Sequence, residues 1–520
     1  MPTSVPTRSV YTVLGLTQGM VKNGGLAVRV GTVEKHPSPL LVQDQPWEPR
    51  LDNGYPNVIP PSAATASWQL FYGDCVSGCG TQILLYANST DGMVWHKPKL
   101  GLFDVGTVRP DLSYIGKANN IVLEGGGIGV RRDEQSGKYV AFGPACYDAP
   151  RPGANPADQC HIALAGHPPT RWQASNPTQD LAFSDTGLIW RGARDITWPP
   201  PQRYDCHNNL FFDAPSQRYV ATTRDGFSQA PGRTIGIAVS PSAKLTFNTS
   251  EAPACTLAGT SAKQLYSQIT FRWHDVLLGI VMVYDAQDAA QKVRCKLAWA
   301  PAAHGKWRWV EGDEASGPDF VPLGKTGAFD SHICFAAASP VAWADGAVGS
   351  PSGRVTHERI YYMGGNGPHS GARNSSLGLA KLRKDGYAGV GGSGKIVLLP
   401  VRCTHEMLTV TYDAAERGGG SIRIGLADVR VSPGLSVNAS IPLTHSATDA
   451  IMHFAGGCGG PDFTPLIGQD VTLAVQMTGG TLYTVGFTKR PGRQPPRGCR
   501  TLRTLRGLGR HLSAPGQSSP

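Results

Sequence analysis

Charge is scarce in this chain. Only 17% of its 520 residues are Asp, Glu, Lys or Arg, against 40% apolar, so a real core can form and broad disorder is excluded. No apolar run approaches the ~18 residues that span a bilayer. The longest, VLLGIVMVY from Val276, has nine, which excludes a transmembrane helix. The first 25 residues lack the continuous apolar stretch of a signal peptide. The 11 cysteines include no Cys-x-x-Cys and no Cys/His pairing at zinc spacing, so a structural metal is not expected. There is no G-x-S-x-G elbow and no G-x-x-x-x-G-K-[ST]; the glycine cluster EGGGIG (124–129) lies between strands with no helix after it.

Turn formers, by contrast, are plentiful: Gly 64 and Pro 41 together make about a fifth of the chain, which suits many short strands joined by tight turns. The net charge of +10 is concentrated at the C-terminus, where eight Lys or Arg fall between Lys489 and Arg510 and no acid follows Asp470. Without that tail the body is near +2, so the balance does not mark a nucleic-acid surface. Cys75 and Cys79 bracket a Gly-containing turn, and Cys146 and Cys160 bracket YDAPRPGANPADQ; both pairs read as loop staples. Sequons at Asn88, Asn248, Asn374 and Asn438 lean toward a secretory route, with a leader not visible at this N-terminus.

One two-part pattern recurs: an aromatic and β-branched strand, then a second strand ending in a turn of the form Ser-x-Asp-Gly-x-x-Trp. It appears at 68–98, 138–192, 218–247, 276–310 and 359–390, with the first strands starting 70, 80, 58 and 83 residues apart. In STDGMVW the Asp caps its own turn, the Gly takes positive φ and the Trp folds back on the adjacent strand. Period-2 strands with almost no 3.6-period stretch argue an all-β chain, and five such units argue a five-bladed β-propeller over 36–390. After the linker GVGGSG (389–394), closely spaced alternating strands over 395–488 read as a β-sandwich. Residues 1–35 form an N-terminal segment and 489–520 a basic, disordered tail.

Polar residues that a strand core would not want lie just upstream of the repeats. PWEPRLDNGYPNVI offers Glu48, Asp52, Tyr55 and Asn57; KANNIVLEGG offers Asn119, Asn120 and Glu124. RYDCHNNLFFD offers Asp205, His207, Asn208 and Asn209, YSQITFRW offers Tyr266 and Gln268, and FDSHICF offers Asp330 and His332. Carboxylates, amides, imidazoles and aromatics at matching points of successive blades make a polar, ring-stacking surface suited to a carbohydrate. Carboxylates on opposing blades are what glycosidic-bond cleavage needs, one protonated for the leaving group and one ionised. Asp205, Asp330 and Glu48 are the expected catalytic carboxylates. His207, His332 and His369 are expected on sugar hydroxyls, and Arg224 beside a carboxylate that it keeps ionised. No metal or organic cofactor is expected.

The ordered set PWE, YPNVI, YANSTDGMVWHKP, NNIV, DCHNNLFFD, RYVATTR, GAFDSHI, YYMGGNGPHSG and GLAKLRKDGYAG resembles the uncharacterised proteins labelled as having a glycoside hydrolase family 32 N-terminal-like domain. These are similar in fold to the five-bladed families 32, 43 and 68 and carry a C-terminal β-sandwich ending in a strand like LYTVGF. The resemblance implies a sugar-active propeller with three acids near its axis. The Trp-x-Asn-Asp-Pro and Glu-Cys motifs of family 32 itself are absent, so roles and fructan specificity are not carried over. The expected activity is hydrolysis of a polysaccharide or oligosaccharide outside the cell. The alternative is a non-catalytic glycan-binding propeller.

Overall fold

The computed structural model describes residues 8–19, 25–51, 53–62, 65–77, 81–143, 180–193, 207–225, 231–240, 257–303, 305–343, 355–414, 419–456 and 460–491. Among them, regular structure is nearly all β. Among the described residues the single α-helix is the four-residue Val13–Leu16, and no helix there is long and apolar enough to cross a membrane.

Five antiparallel groups of strands, each taken below as a sheet, follow one another along the chain, the fourth and fifth being joined into one ten-stranded sheet by a parallel pairing of Val293 with Ile333. The first orders Asn57–Ile59, Trp68–Ser77, Thr81–Ser89 and Ile121–Glu124. The second orders Gly129–Arg132, Tyr139–Gly143, Asp180–Ser184 and Arg191–Ala193. The third holds Asn209–Asp213, Arg218–Asp225 and Thr234–Ser240, with a bridge from Ile235 to Leu257. The fourth holds Lys263–Trp273, Val276–Asp285, Val293–Ala300 and Arg308–Trp309. In the fifth, Ile333–Ala336, His357–Gly365 and Ser375–Arg383 are completed by two pieces from the start of the chain, Glu34–Lys35 and Leu41–Val42. The apolar run that begins at Val276 is a second strand buried on both faces, because other sheets pack on each side of it.

The recurring turn works largely as its chemistry requires. Asp91 Oδ1 accepts the N–H groups of Met93 (2.7 Å) and Val94 (2.9 Å), and Gly92 sits at φ 72°. The aromatic ring, however, reaches beyond its own sheet. Trp95 meets Tyr361 of the fifth sheet edge-on at 6.3 Å, and Trp190 meets Phe71 of the first at 6.2 Å. Trp307 packs among Phe211, Val220 and Ile235 of the third sheet, and Tyr387, at the corresponding point of KDGYAGV, lies 5.3 Å from Phe271 of the fourth. Each of these turns therefore rests on the preceding sheet, and the first rests on the last.

Two further sheets share one apolar core that includes Val410, Tyr412, Ile424, Val475 and Phe487. One joins Met407–Asp413, Thr481–Thr488, Ala388–Gly392 and Ala447–Ile451 to the N-terminal strands Arg8–Thr12 and Leu26–Val30. The other joins Gly394–Val397, Leu473–Thr478 and Ser421–Leu426. GVGGSG is thus not a free linker: its residues are strand in both sheets, and the chain crosses between them at Gly392 and Gly394, both at positive φ. Of the expected tail, Arg490 donates its N–H to Glu406 at 2.7 Å and pairs with Asp462; residues 492–520 lie outside the described region.

The expected staples cannot be placed, since Cys79, Cys146 and Cys160 lie outside the described residues. A different bridge, Cys295 to Cys334, joins the third strand of the fourth sheet to the first strand of the fifth, with Cα atoms 5.9 Å apart.

Candidate functional site

Two of the three expected catalytic carboxylates are built into ion pairs. The Glu48 side chain is fully buried, accepting the Tyr72 hydroxyl (2.7 Å) and the Lys97 ammonium (2.6 Å), with the N–H groups of Asp44 and Gln45 at 3.2 and 3.3 Å. Asp330, whose side chain is 2% exposed, accepts the Tyr362 hydroxyl (2.7 Å) and pairs with Lys35 (2.5 Å). Each lysine also lies over the tyrosine ring, at 6.0 and 5.8 Å from its centre. The same carboxylate–lysine–tyrosine unit therefore recurs on the second strands of the first and fifth sheets. Burial and the neighbouring carboxylate push both tyrosines well up, so the phenols stay protonated donors. Glu48 and Asp330 are closed to solvent and held by fixed donors, Glu48 through both oxygens and Asp330 through Oδ2. Asp52 and Asp205 lie outside the described residues.

Of the expected sugar-binding amides, Asn57 and Asn208 tie neighbouring sheets together, and Asn119 and Asn120 brace the first sheet and its loops. Asn57 donates to the Ile128 carbonyl (3.1 Å) and accepts the Val130 N–H (3.0 Å), tying the first sheet to the second. Asn208 donates to the Gly127 carbonyl (2.9 Å) and accepts the Thr223 hydroxyl (2.7 Å). Asn119 binds the Phe103 and Gly116 carbonyls, and Asn120 joins Trp47, Tyr72 and the Tyr86 carbonyl. Each is a buried amide with both ends used, as burial of a polar group demands. Gln268 differs in part: Nε2 donates to Thr270 at 3.0 Å, while buried Oε1 has no partner. His332 is half-buried, with Nδ1 at 2.9 Å from the Ser331 hydroxyl; burial and Lys292 hold its pKa down.

The remaining expected residues do come together, in a cluster to which four of the five sheets contribute. Asn53, Gly54 and Tyr55 all have positive φ (57°, 64° and 31°), a strained path costing on the order of 1–3 kcal/mol per non-glycine residue. A Cβ on Gly54 would strike Met363, so only glycine passes there. This path brings Asn53 Nδ2 to the hydroxyls of Tyr55 (2.8 Å) and Tyr266 (3.2 Å), while Arg373 donates to Asn53 Oδ1 at 2.9 Å. The Tyr55 ring lies 4.6 Å from His207 and 5.3 Å from Phe335. Tyr266 lies 5.4 Å from Phe335 and 4.8 Å from His369, and Tyr284 is 4.7 Å from His369. The Arg224 guanidinium sits over Tyr266 at 4.2 Å.

Both imidazoles are held neutral. His207 is fully buried, neither ring nitrogen has a hydrogen-bond partner, and burial lowers its pKa to about 3. His369 is lowered to about 3 by burial and then by Arg373, Arg233, Arg224 and Arg50, and its buried Nε2 also lacks a partner. Neutral imidazoles offer one donor and one acceptor each. Sequence reasoning missed Asn53, Tyr284, Arg50, Arg233 and Arg373. Asn53 and Arg50 lie inside PWEPRLDNGYPNVI, a stretch already singled out for its neighbours.

No protein-family model matches the chain, and no curated protein matches it. Among solved structures it is similar to an N-acetylgalactosamine deacetylase from F. plautii in complex with blood group B trisaccharide, at 10% identity and TM-score 0.43, over 68% of this chain and 95% of that one. It is also similar to a thermostable family-43 glycoside hydrolase, at 9% identity and TM-score 0.41, over 66% and 92% of the two chains. An α-L-arabinofuranosidase from Podospora anserina in complex with cellotriose aligns at 10% identity and TM-score 0.39, over 68% and 96%.

Proposed function

We propose that the five sheets are the blades of one five-bladed β-propeller, that the two C-terminal sheets form a β-sandwich, and that the chain hydrolyses glycosidic bonds at the mouth where the cluster lies. Support for the propeller is the cyclic order of turn contacts, with the first turn resting on the fifth sheet, and the completion of that sheet by Glu34–Lys35 and Leu41–Val42. The blades would run over about 34–383. The sandwich would combine 388–488 with the N-terminal strands.

The observation that carries the function is the meeting of four sheets on rings, an amide and buried imidazole nitrogens with no internal partner. Aromatic faces and neutral donor–acceptor groups are what a sugar ring needs on its apolar face and its hydroxyls. The acid and base would be Asp205 and Asp52, each close in sequence to a cluster residue, His207 and Asn53. One would protonate the leaving oxygen and the other would attack the anomeric carbon or activate water. A secretory route fits the Cys295–Cys334 bridge and the exposed acceptors Asn374 and Asn438.

The test is a screen of polysaccharides and oligosaccharides with reducing-end detection. Turnover by the native chain that falls at least about 100-fold in Asp205→Asn and Asp52→Asn, with unchanged melting, is expected. Binding without any release would replace this reading with a non-catalytic glycan-binding propeller, a role favoured by the sequestered Glu48 and Asp330.

A further inference from the structure

The turn that leads from the fifth sheet to the C-terminal ones departs from its counterpart in the first. Asp385 stands where Asp91 stands there, but its Oδ1 meets His274 Nε2 at 2.7 Å instead of capping its own backbone. His274 is at the tip of the turn after Lys263–Trp273, so two turn tips meet head-on, with φ 63° at Asp385 and 51° at His274. Lys384 reaches onward to Asp449 of Ala447–Ile451 at 2.8 Å and lies 3.6 Å from Asp385 Oδ2. From the fifth sheet, Glu358 accepts the Tyr387 hydroxyl, and the Tyr387 ring packs 5.3 Å from Phe271 and 5.5 Å from Trp273 of the fourth. One short turn therefore holds the fourth sheet, the fifth sheet and the C-terminal sheets together.

The charges at this point do not balance at every pH. Facing Glu358 are the Tyr387 hydroxyl, Asp385, His274 and Lys384. With Glu358 protonated and His274 charged, two cations (His274 and Lys384) face two carboxylates (Asp385 and Asp449). With both protons gone, Lys384 alone faces Glu358, Asp385 and Asp449. Asp275, next to His274, adds a further carboxylate, held by the Thr12 N–H at 2.7 Å, while Arg383 is committed to Asp413 and the Thr448 hydroxyl. Desolvation keeps the Glu358 proton up to about 7, and imidazoles change charge in the same range. Like charges crowded away from water repel strongly. We propose that this junction is a proton-operated latch: closed, it pins the turn 384–387 and the C-terminal strands around it to the fourth and fifth sheets, and loss of its protons lets that turn and those strands open locally while the fourth sheet stays folded.

Amide hydrogen exchange of the full chain at pH 6 and pH 8, corrected for the intrinsic rate at each pH, reads the opening directly. The closed junction keeps the Glu358 proton up to about 7, whereas the open one releases it at the ordinary 4.5. Opening therefore becomes more favourable as pH rises through that window and levels off above 7. From pH 6 to pH 8 the amides of Ala388–Gly392 and Ala447–Ile451 should lose about tenfold in protection, through an opening more frequent than the one that exposes Val276–Asp285. Glu358→Gln, which keeps the shape of the protonated acid and cannot ionise, should remove most of that change. His274→Gln, with no charge to lose, should be less protected than the native chain already at pH 6. Protection at those strands that is equal at both pH values, or a Glu358→Gln chain with the native pH dependence, overturns the latch. So does a His274→Gln chain protected like the native one at pH 6. A single rate for both sets of strands, shifting as one, also overturns it, because pH would then act on global unfolding alone.

Discussion

Single carboxylates in this protein divide by what holds them. Glu48 and Asp330 are each fixed by a lysine and a tyrosine hydroxyl, so removing the charge takes a buried acceptor from both, although Lys97 keeps Asp44 at 2.7 Å as a second partner. Glu48→Gln and Asp330→Asn should therefore each destabilise by roughly 2–4 kcal/mol; urea unfolding would measure it. Glu358 is a different case. Its half-buried side chain accepts the Tyr387 hydroxyl and faces Asp385, His274 and Lys384, and desolvation of the carboxyl raises it from 4.5 to about 7. Because the folded pKa is the higher one, the native state binds more protons than the unfolded chain between pH 4.5 and 7. The contribution is full below 4.5 and is lost as pH rises through 7, an amount on the order of 3 kcal/mol. Glu358→Gln should abolish that part of the slope and make the protein more stable than the native chain at pH 8, as read from unfolding at pH 5 and pH 8. Why the sequence hid these roles is plain: Lys97 is 49 residues from Glu48, and Lys35 is 295 from Asp330. An acid beside Pro and Gly reads the same whether it faces solvent or a distant lysine.

At the scale of strands and turns, what was legible was local. The Ser-x-Asp-Gly turn makes its own hydrogen bonds, so its recurrence marked the second strands, which begin at Trp68, Tyr139, Arg218, Val276 and His357. The landing place of each aromatic ring was not legible, because it belongs to another sheet. The same holds for the Cys295–Cys334 bridge, whose partners are 39 residues apart on strands inside two different groups, too far apart for spacing to pair them. The cluster was half visible: His207, His369, Tyr55, Tyr266 and Arg224 stood out as polar or aromatic residues near strand ends, whereas arginines elsewhere look like ordinary surface. Peptides containing Cys295 and Cys334 should stay joined under non-reducing digestion, and a Cys295→Ser/Cys334→Ser chain should lose up to about 4 kcal/mol in the loop-entropy model for that span. Separate peptides before reduction would refute the pairing.

For the molecule as a whole, the decisive feature is that both ends of the chain close it. Removing residues 1–42 deletes the pieces that cover Ser375–Arg383, the strands on Thr481–Thr488 and Ala388–Gly392, and Lys35 opposite Asp330. Amide hydrogen exchange across 375–383 and 481–488 should then speed up by orders of magnitude, while the fourth sheet keeps its protection. A truncated chain with unchanged protection there would show that the seam adds nothing. The seam also sets a timetable. Leu41–Val42 leaves the ribosome about 340 residues before its partner strand is complete, and at ~5–20 residues per second that is a wait of roughly 20–70 s. Throughout it a sticky edge piece has nothing to pair with. VEKHPSPLLVQDQP is suited to that interval: its two strands have two residues each, one of them the charged pair Glu34–Lys35, and prolines at 37, 39 and 46 with Asp44 interrupt the rest, too short and too broken to recruit a neighbouring nascent chain. The brevity of these two strands is a protection against misassembly on the polysome as much as a detail of the finished sheet.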